Sequence, residues 1–152
     1  MGNNLFLQKK IKRNLDELDS FRESFLCYLT ENGIEEETAS HFELCAYEVI
    51  ANIIEHDSAI PGFCDDIQVI FSAEKNYGQV ILNYSGPEFD LTKRPLPDIS
   101  THFKEGLKRG LGIYIIHKLM DEIWYTHNEG ENSLTMKKSI PDNDRIKIEQ
   151  IL

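Results

Sequence analysis

At 152 residues, 41% of them hydrophobic and 28% charged, the chain has a globular composition and enough length for one domain with a real core. A net charge of −10 argues against direct contact with nucleic acid. No apolar run approaches the roughly 20 residues that span a bilayer, so neither membrane contact nor a signal segment is expected. The three cysteines, Cys27, Cys45 and Cys64, share no framework spacing and fit reduced thiols in a cytoplasmic protein.

In chain order, residues 4–12 read as a short strand. Residues 14–32 read as a helix with Leu15, Leu18, Phe25 and Leu29 on one face and Asn32-Gly33 as its stop. Glu35, Glu36 and Glu37 place negative charge where a second helix begins, favourable to its dipole, and that helix runs to about His56. A loop at 58–65 precedes strands at 66–74 and 79–84, joined through Asn76-Tyr77-Gly78 as an antiparallel hairpin. Residues 86–109 carry prolines at 87, 95 and 97 and no sustained period; a connection that long suggests a functional segment such as a lid at about 90–110. A third helix at 110–121 and strands at 122–127 and 133–138 around Asn128-Glu129-Gly130 follow. The charged tail at 144–152 is compatible with a short helix.

The second helix carries the strongest chemical signal. Glu48, Asn52 and His56 recur every four residues, so they fall within roughly an 80° arc. Phe42, Ala46, Tyr47, Val49, Ile50, Ala51, Ile53 and Ile54 fill most of the rest. Such a helix is buried on most sides, and its narrow polar stripe faces a ligand cleft more economically than open water. Two plainer readings stand beside this one: an ordinary solvated face, and a metal site in which His41 and Cys45, also four apart, join the stripe.

Two further features follow. Gly106-Leu-Lys108-Arg109-Gly110-Leu111-Gly112 runs directly into the third helix, where unpaired N–H groups and the positive dipole end suit an anion. From Asp90 to Gly110 five basic residues face three acidic ones, against the trend of the chain. Ser85-Gly86-Pro87-Glu88-Phe89-Asp90 is a turn after the hairpin's second strand.

Taken in order, Glu48-x-x-x-Asn52-x-x-x-His56, Gly86-Pro-x-Phe-Asp90 after a strand, a lid, and Gly110-Leu111-Gly112 opening a helix resemble the GHKL ATPase/kinase superfamily. The stretches Gly110–Tyr125 and Gly130–Lys137 are most similar to its bacterial anti-sigma-factor serine kinases. The resemblance covers about residues 5–140 and implies one histidine-kinase-like ATPase domain across 1–152. It implies the Bergerat ATP-binding fold: an α/β (α+β) two-layer sandwich with a mixed, mostly antiparallel sheet and helices on one face. It further implies ATP and Mg²⁺ as cofactors, Glu48 as general base and Asn52 as Mg²⁺ ligand. Gly110, Leu111 and Gly112, with Lys108 and Arg109, would hold the phosphates, while Gly86 would let adenine approach its strand. The implied partners are a sigma factor and a STAS-domain anti-anti-sigma protein that accepts the phosphate, with the kinase a homodimer; a non-catalytic module that sequesters a partner is the alternative.

The chain departs from the pattern at the base end. Relatives carry, two residues before that glycine, an Asp that accepts from the adenine amino group; here Tyr84 stands there, preceded by Asn83. A one-residue bulge would bring Asn83 into the role; otherwise the base contact falls to Tyr84. Asn132 and Ser133 stand where many relatives have a Gly-Thr pair that helps hold the base. Tyr84 and Asn132 are therefore the base-end candidates.

Overall fold

The computed structural model describes residues 4–57, 66–93 and 111–141. Strand β1 (Leu5–Ile11) leads into helices α1 (Leu15–Glu31) and α2 (Glu36–Asp57), followed by β2 (Ile67–Ala73) and β3 (Tyr77–Ser85). A 3-10 turn (Leu91–Lys93), helix α3 (Leu111–Leu119) and the hairpin β4 (Glu122–Asn128) and β5 (Glu131–Ser139) complete the order. The strands form one sheet in the order β1-β2-β3-β5-β4, and every described pairing is antiparallel. The parallel component expected of a mixed sheet is thus not seen among the described residues.

Local chemistry sets the ends of these elements. Asn14 caps α1 by accepting from Glu17 N at 2.8 Å, and its amide reaches back to the Glu17 carboxylate at 3.2 Å. The first of these bonds satisfies one of the unpaired N–H groups at the helix start. At the other end Gly33 takes φ 94°, Ile34 N bonds Leu29 O at 3.0 Å and Gly33 N bonds Thr30 O at 3.2 Å. A glycine in the left-handed region lets the chain turn back and use those last carbonyls. Between β4 and β5, Glu129 and Gly130 both have positive φ (50° and 78°), as a two-residue hairpin turn requires.

Strand alternation builds the core. Val69, Phe71, Val80, Leu82, Leu134 and Met136 point toward the helices and are buried. Phe71 meets Phe25 of α1 and Phe42 of α2 edge-on, with ring centroids 5.6 and 5.3 Å apart. Each such side chain removed from water contributes about 1.5–3 kcal/mol. The result is helices on one face of a sheet. The first hairpin turns earlier than its sequence suggests: Gly78 pairs with Ala73, and Glu74 N bonds Tyr77 O at 2.8 Å. Tyr77 and Gly78 pair with Ser139 and Lys138 as strand residues, and position 78 is a glycine of the sheet, where a methyl group would come 3.0 Å from the Phe42 ring.

Residues 91–93 of the expected lid form the 3-10 turn after Asp90; residues 94–110, with Lys108, Arg109 and Gly110, lie outside the described residues, as do the 58–65 loop and the 144–152 tail. No described helix is long and apolar enough to cross a membrane.

Candidate functional site

Helix α2 buries Phe42, Cys45, Ala46, Val49, Ile50 and Ile53, leaving Glu48, Asn52 and His56 half-buried along one side. The start of α3 crosses over the first part of this stripe. A methyl group on Gly112 would lie 2.5 Å from Glu48 Oε2 and 3.4 Å from Asn52 Nδ2. Glycine lets the helix backbone sit against the carboxylate in its present position, which any larger residue would displace. The structure thus joins two motifs some 60 residues apart in sequence. Asn52 Nδ2 also donates to Glu48 O at 2.6 Å, which orients its amide within the helix.

Glu48 is perturbed. Burial raises its pKa, the Arg22 guanidinium opposes the rise and Glu55 adds to it. Arg22 is fixed by an ion pair with the buried Glu43 and by stacking over Tyr47, 4.4 Å from the ring centroid. Sequence reasoning missed this cation because it comes from α1, with no spacing to link it to α2.

The far end of the stripe meets the turn after β3. The His56 ring stacks on Phe89 with centroids 3.8 Å apart and planes at 14°. Gly86 starts that turn at φ 135°, and its N–H donates to Gly130 O at 2.8 Å, so the glycine has a conformational reason as well. Tyr84 points into the core, 2% exposed, and donates to Phe89 O at 2.8 Å. Burial, then Tyr125 and Asp90, push its phenol well above the usual range, so it remains a neutral donor.

Asn132, 1% exposed, organises this end. Its Nδ2 faces the carbonyls of Tyr84, Gly86 and Pro87 at 3.1, 3.4 and 3.2 Å. Its Oδ1 accepts from Phe89 N at 3.2 Å and from the Tyr125 hydroxyl, and lies 3.1 Å from His127 Nδ1. A backbone N–H can only donate and a carbonyl only accept, so the amide orientation is fixed. Strand alternation was the available signal for Tyr125 and His127, since both lie on the helix-facing side of β4. The β3–β5 register runs unbroken from Tyr77↔Ser139 to Ser85↔Glu131. No bulge turns Asn83 inward; it donates to Gln68 Oε1 at 2.9 Å on the opposite face.

The His41–Cys45 pair gains no third ligand, since no group of three His, Cys, Asp or Glu side chains is arranged to hold a metal among the described residues. Cys45 is fully buried, and burial pushes its thiol up to about 12.

Residues 11–138 match the histidine kinase-like ATPase domain. The chain belongs to this family. Among curated relatives, the serine-protein kinase RsbW of Bacillus thuringiensis (strain Al Hakam) is 32% identical over 94 residues, covering 59% of this chain and 58% of that protein. RsbW of Bacillus anthracis gives the same identity and coverage. The chain therefore matches less than two thirds of the length of these kinases. In fold, it is similar to the RsbU and RsbW domains of a Mycobacterium tuberculosis protein, with a TM-score of 0.64 and 14% identity over 90% of this chain and 33% of that one. It is also similar to a chain of the SiaB–SiaC complex from Pseudomonas aeruginosa, with a TM-score of 0.60 and 16% identity over 90% and 88%. Membership of the histidine kinase-like ATPase family agrees with the Bergerat fold.

Proposed function

We propose that this histidine kinase-like ATPase domain is a serine/threonine protein kinase that uses ATP and Mg²⁺, binds a sigma factor and phosphorylates a STAS-type antagonist. The observation that carries the reading is the seat of Gly112 against Glu48 and Asn52. It sets the first amides of α3 beside a carboxylate and an amide, the donor set a phosphate and its metal require. When bound, Mg²⁺ would neutralise charge on the phosphate oxygens, with Asn52 as its protein ligand. Glu48 accepts the proton of the attacking hydroxyl, and its raised pKa brings it closer to the working pH of a general base. Gly110, Leu111 and Gly112 would supply phosphate-binding amides, with Lys108 and Arg109 adding charge from the segment that precedes α3.

The serine-protein kinase relatives support the reaction class, and the acidic charge of the chain suits a basic sigma-factor segment. A homodimer acting in the cytoplasm completes the proposal. The test is phosphate transfer from ATP to a STAS-domain protein encoded with this chain. Glu48→Ala should abolish transfer while partner capture persists; transfer at an unchanged rate would remove Glu48 from the role of base. The inward, engaged Tyr84 favours a second reading, a non-catalytic module that sequesters its partner, and partner capture without transfer by the unaltered chain would select it.

A further inference from the structure

The stripe of α2 has two chemically different ends. At Glu48 and Asn52 it meets the helix start; one turn further, at His56, it meets Phe89 and the turn that Tyr84, Tyr125 and Asn132 hold. A ligand with its phosphates at the first end places its remaining part at the second. The polar side chains of Tyr84, Tyr125 and Asn132 are already committed to one another and to the turn backbone. A side-chain amide has two N–H donors and two acceptor lone pairs. Asn132 directs its donors at three carbonyls, and its oxygen meets three polar hydrogens or ring nitrogens, so nothing is left over. The single Tyr84 proton is spent on Phe89 O, and the Tyr125 hydroxyl is shared between Phe89 N and Asn132. Of the two carboxylates in this turn, Glu88 is exposed and 4.0 Å from Lys93 Nζ, and Asp90 turns Oδ1 back onto Thr92 N at 2.9 Å and Thr92 Oγ1 at 2.5 Å.

We infer that, among the described residues, this end of the site offers nothing that reads the hydrogen-bonding edge of a base, so the chain takes nucleoside triphosphates by their phosphates and does not select adenine over guanine or cytosine. The inference rests on the nucleotide reading above. Discrimination of more than about 10⁴-fold comes from sites whose buried polar groups are left unpaired by the wrong ligand. Here those groups are paired before any ligand arrives, so a wrong base leaves none of them orphaned.

The test is calorimetric binding of Mg²⁺ with ATP, GTP and CTP to the whole chain, its Asn52→Ala variant and its Tyr84→Phe variant, with a thermal melt of each. The expected result is three affinities within about threefold of one another, all weakened more than about tenfold in Asn52→Ala, with ratios unchanged in Tyr84→Phe. ATP bound more than about tenfold tighter than GTP would overturn the inference and leave the nucleotide site standing. A change in the ATP-to-GTP ratio in Tyr84→Phe would overturn it too, since the hydroxyl would then be reading the base. Failure of a folded wild-type chain to bind any triphosphate would instead overturn the nucleotide reading, and the inference with it.

Discussion

Gly112→Ala separates the site from the fold more sharply than any other single change. The added methyl would stand 2.5 Å from Glu48 Oε2. A carbon and an oxygen in ordinary contact sit roughly 3.3 Å apart, so the carboxylate must retreat by about 0.8 Å. The second contact, Asn52 Nδ2 at 3.4 Å, is ordinary. The clashing atom is the end of a flexible side chain, so the backbone need not move. The φ of Gly112 is not in the left-handed region, and alanine gains up to about 1 kcal/mol of helix propensity over glycine. Stability should therefore change by less than about 1 kcal/mol, a shift of roughly 3 °C in Tm for a chain of this length. Turnover responds differently, because misplacing a reacting group by about 1 Å can cost about 100-fold. The assay is nucleotide turnover beside a thermal melt. Turnover within about twofold of wild type would refute Glu48 as a positioned base. A Tm lower by more than about 10 °C would refute the claim that only a side-chain end gives way.

Three further outcomes follow from the same geometry. Burial raises the Glu48 pKa, so the acid limb of the pH–activity profile should lie above the ordinary glutamate value of about 4.3; Arg22→Met removes the opposing cation and should move that limb higher still. A limb that stays put would separate Arg22 from Glu48. Asn132→Asp should cost about 3–5 kcal/mol in a urea or thermal melt, because it removes both N–H donors and turns an oxygen toward the carbonyls of Tyr84, Gly86 and Pro87; a loss below about 1 kcal/mol would mean the turn is held by other contacts. Burial, helped by Lys138 and opposed by Glu37, lowers the His41 pKa, and its Nδ1 is buried without a hydrogen-bond partner among the described residues. The folded chain then binds fewer protons than the unfolded one, so stability is lost as pH falls from about 6.5 toward the lowered value. Melts at pH 7 and pH 5 should show a smaller drop in Tm for His41→Gln than for wild type.

Much of this protein was readable from its residues because the controlling interactions are local. Asn14 with Glu17 marks a helix start, Asn32-Gly33 a helix end, and Asn128-Glu129-Gly130 a hairpin turn, each through bonds within a few residues. The four-residue recurrence of Glu48, Asn52 and His56 placed a polar stripe on a buried helix for the same reason. The first hairpin turns two residues earlier than its sequence suggests: Tyr77 and Gly78 pair with Ser139 and Lys138, residues distant in the chain. The antiparallel sheet order likewise depends on which strands meet.

At the site the division is sharper. The sequence alone determined which residue types lie on one face of α2 and that a glycine-rich run opens α3, since helix periodicity and backbone freedom are properties of short segments. Only the tertiary structure brought Gly112 onto Glu48, Arg22 beside that carboxylate, Phe89 under His56, and Asn132 among six polar partners. Those contacts join segments far apart in the chain. Hydrogen bonding and desolvation depend on distance in space, which no spacing along the chain encodes.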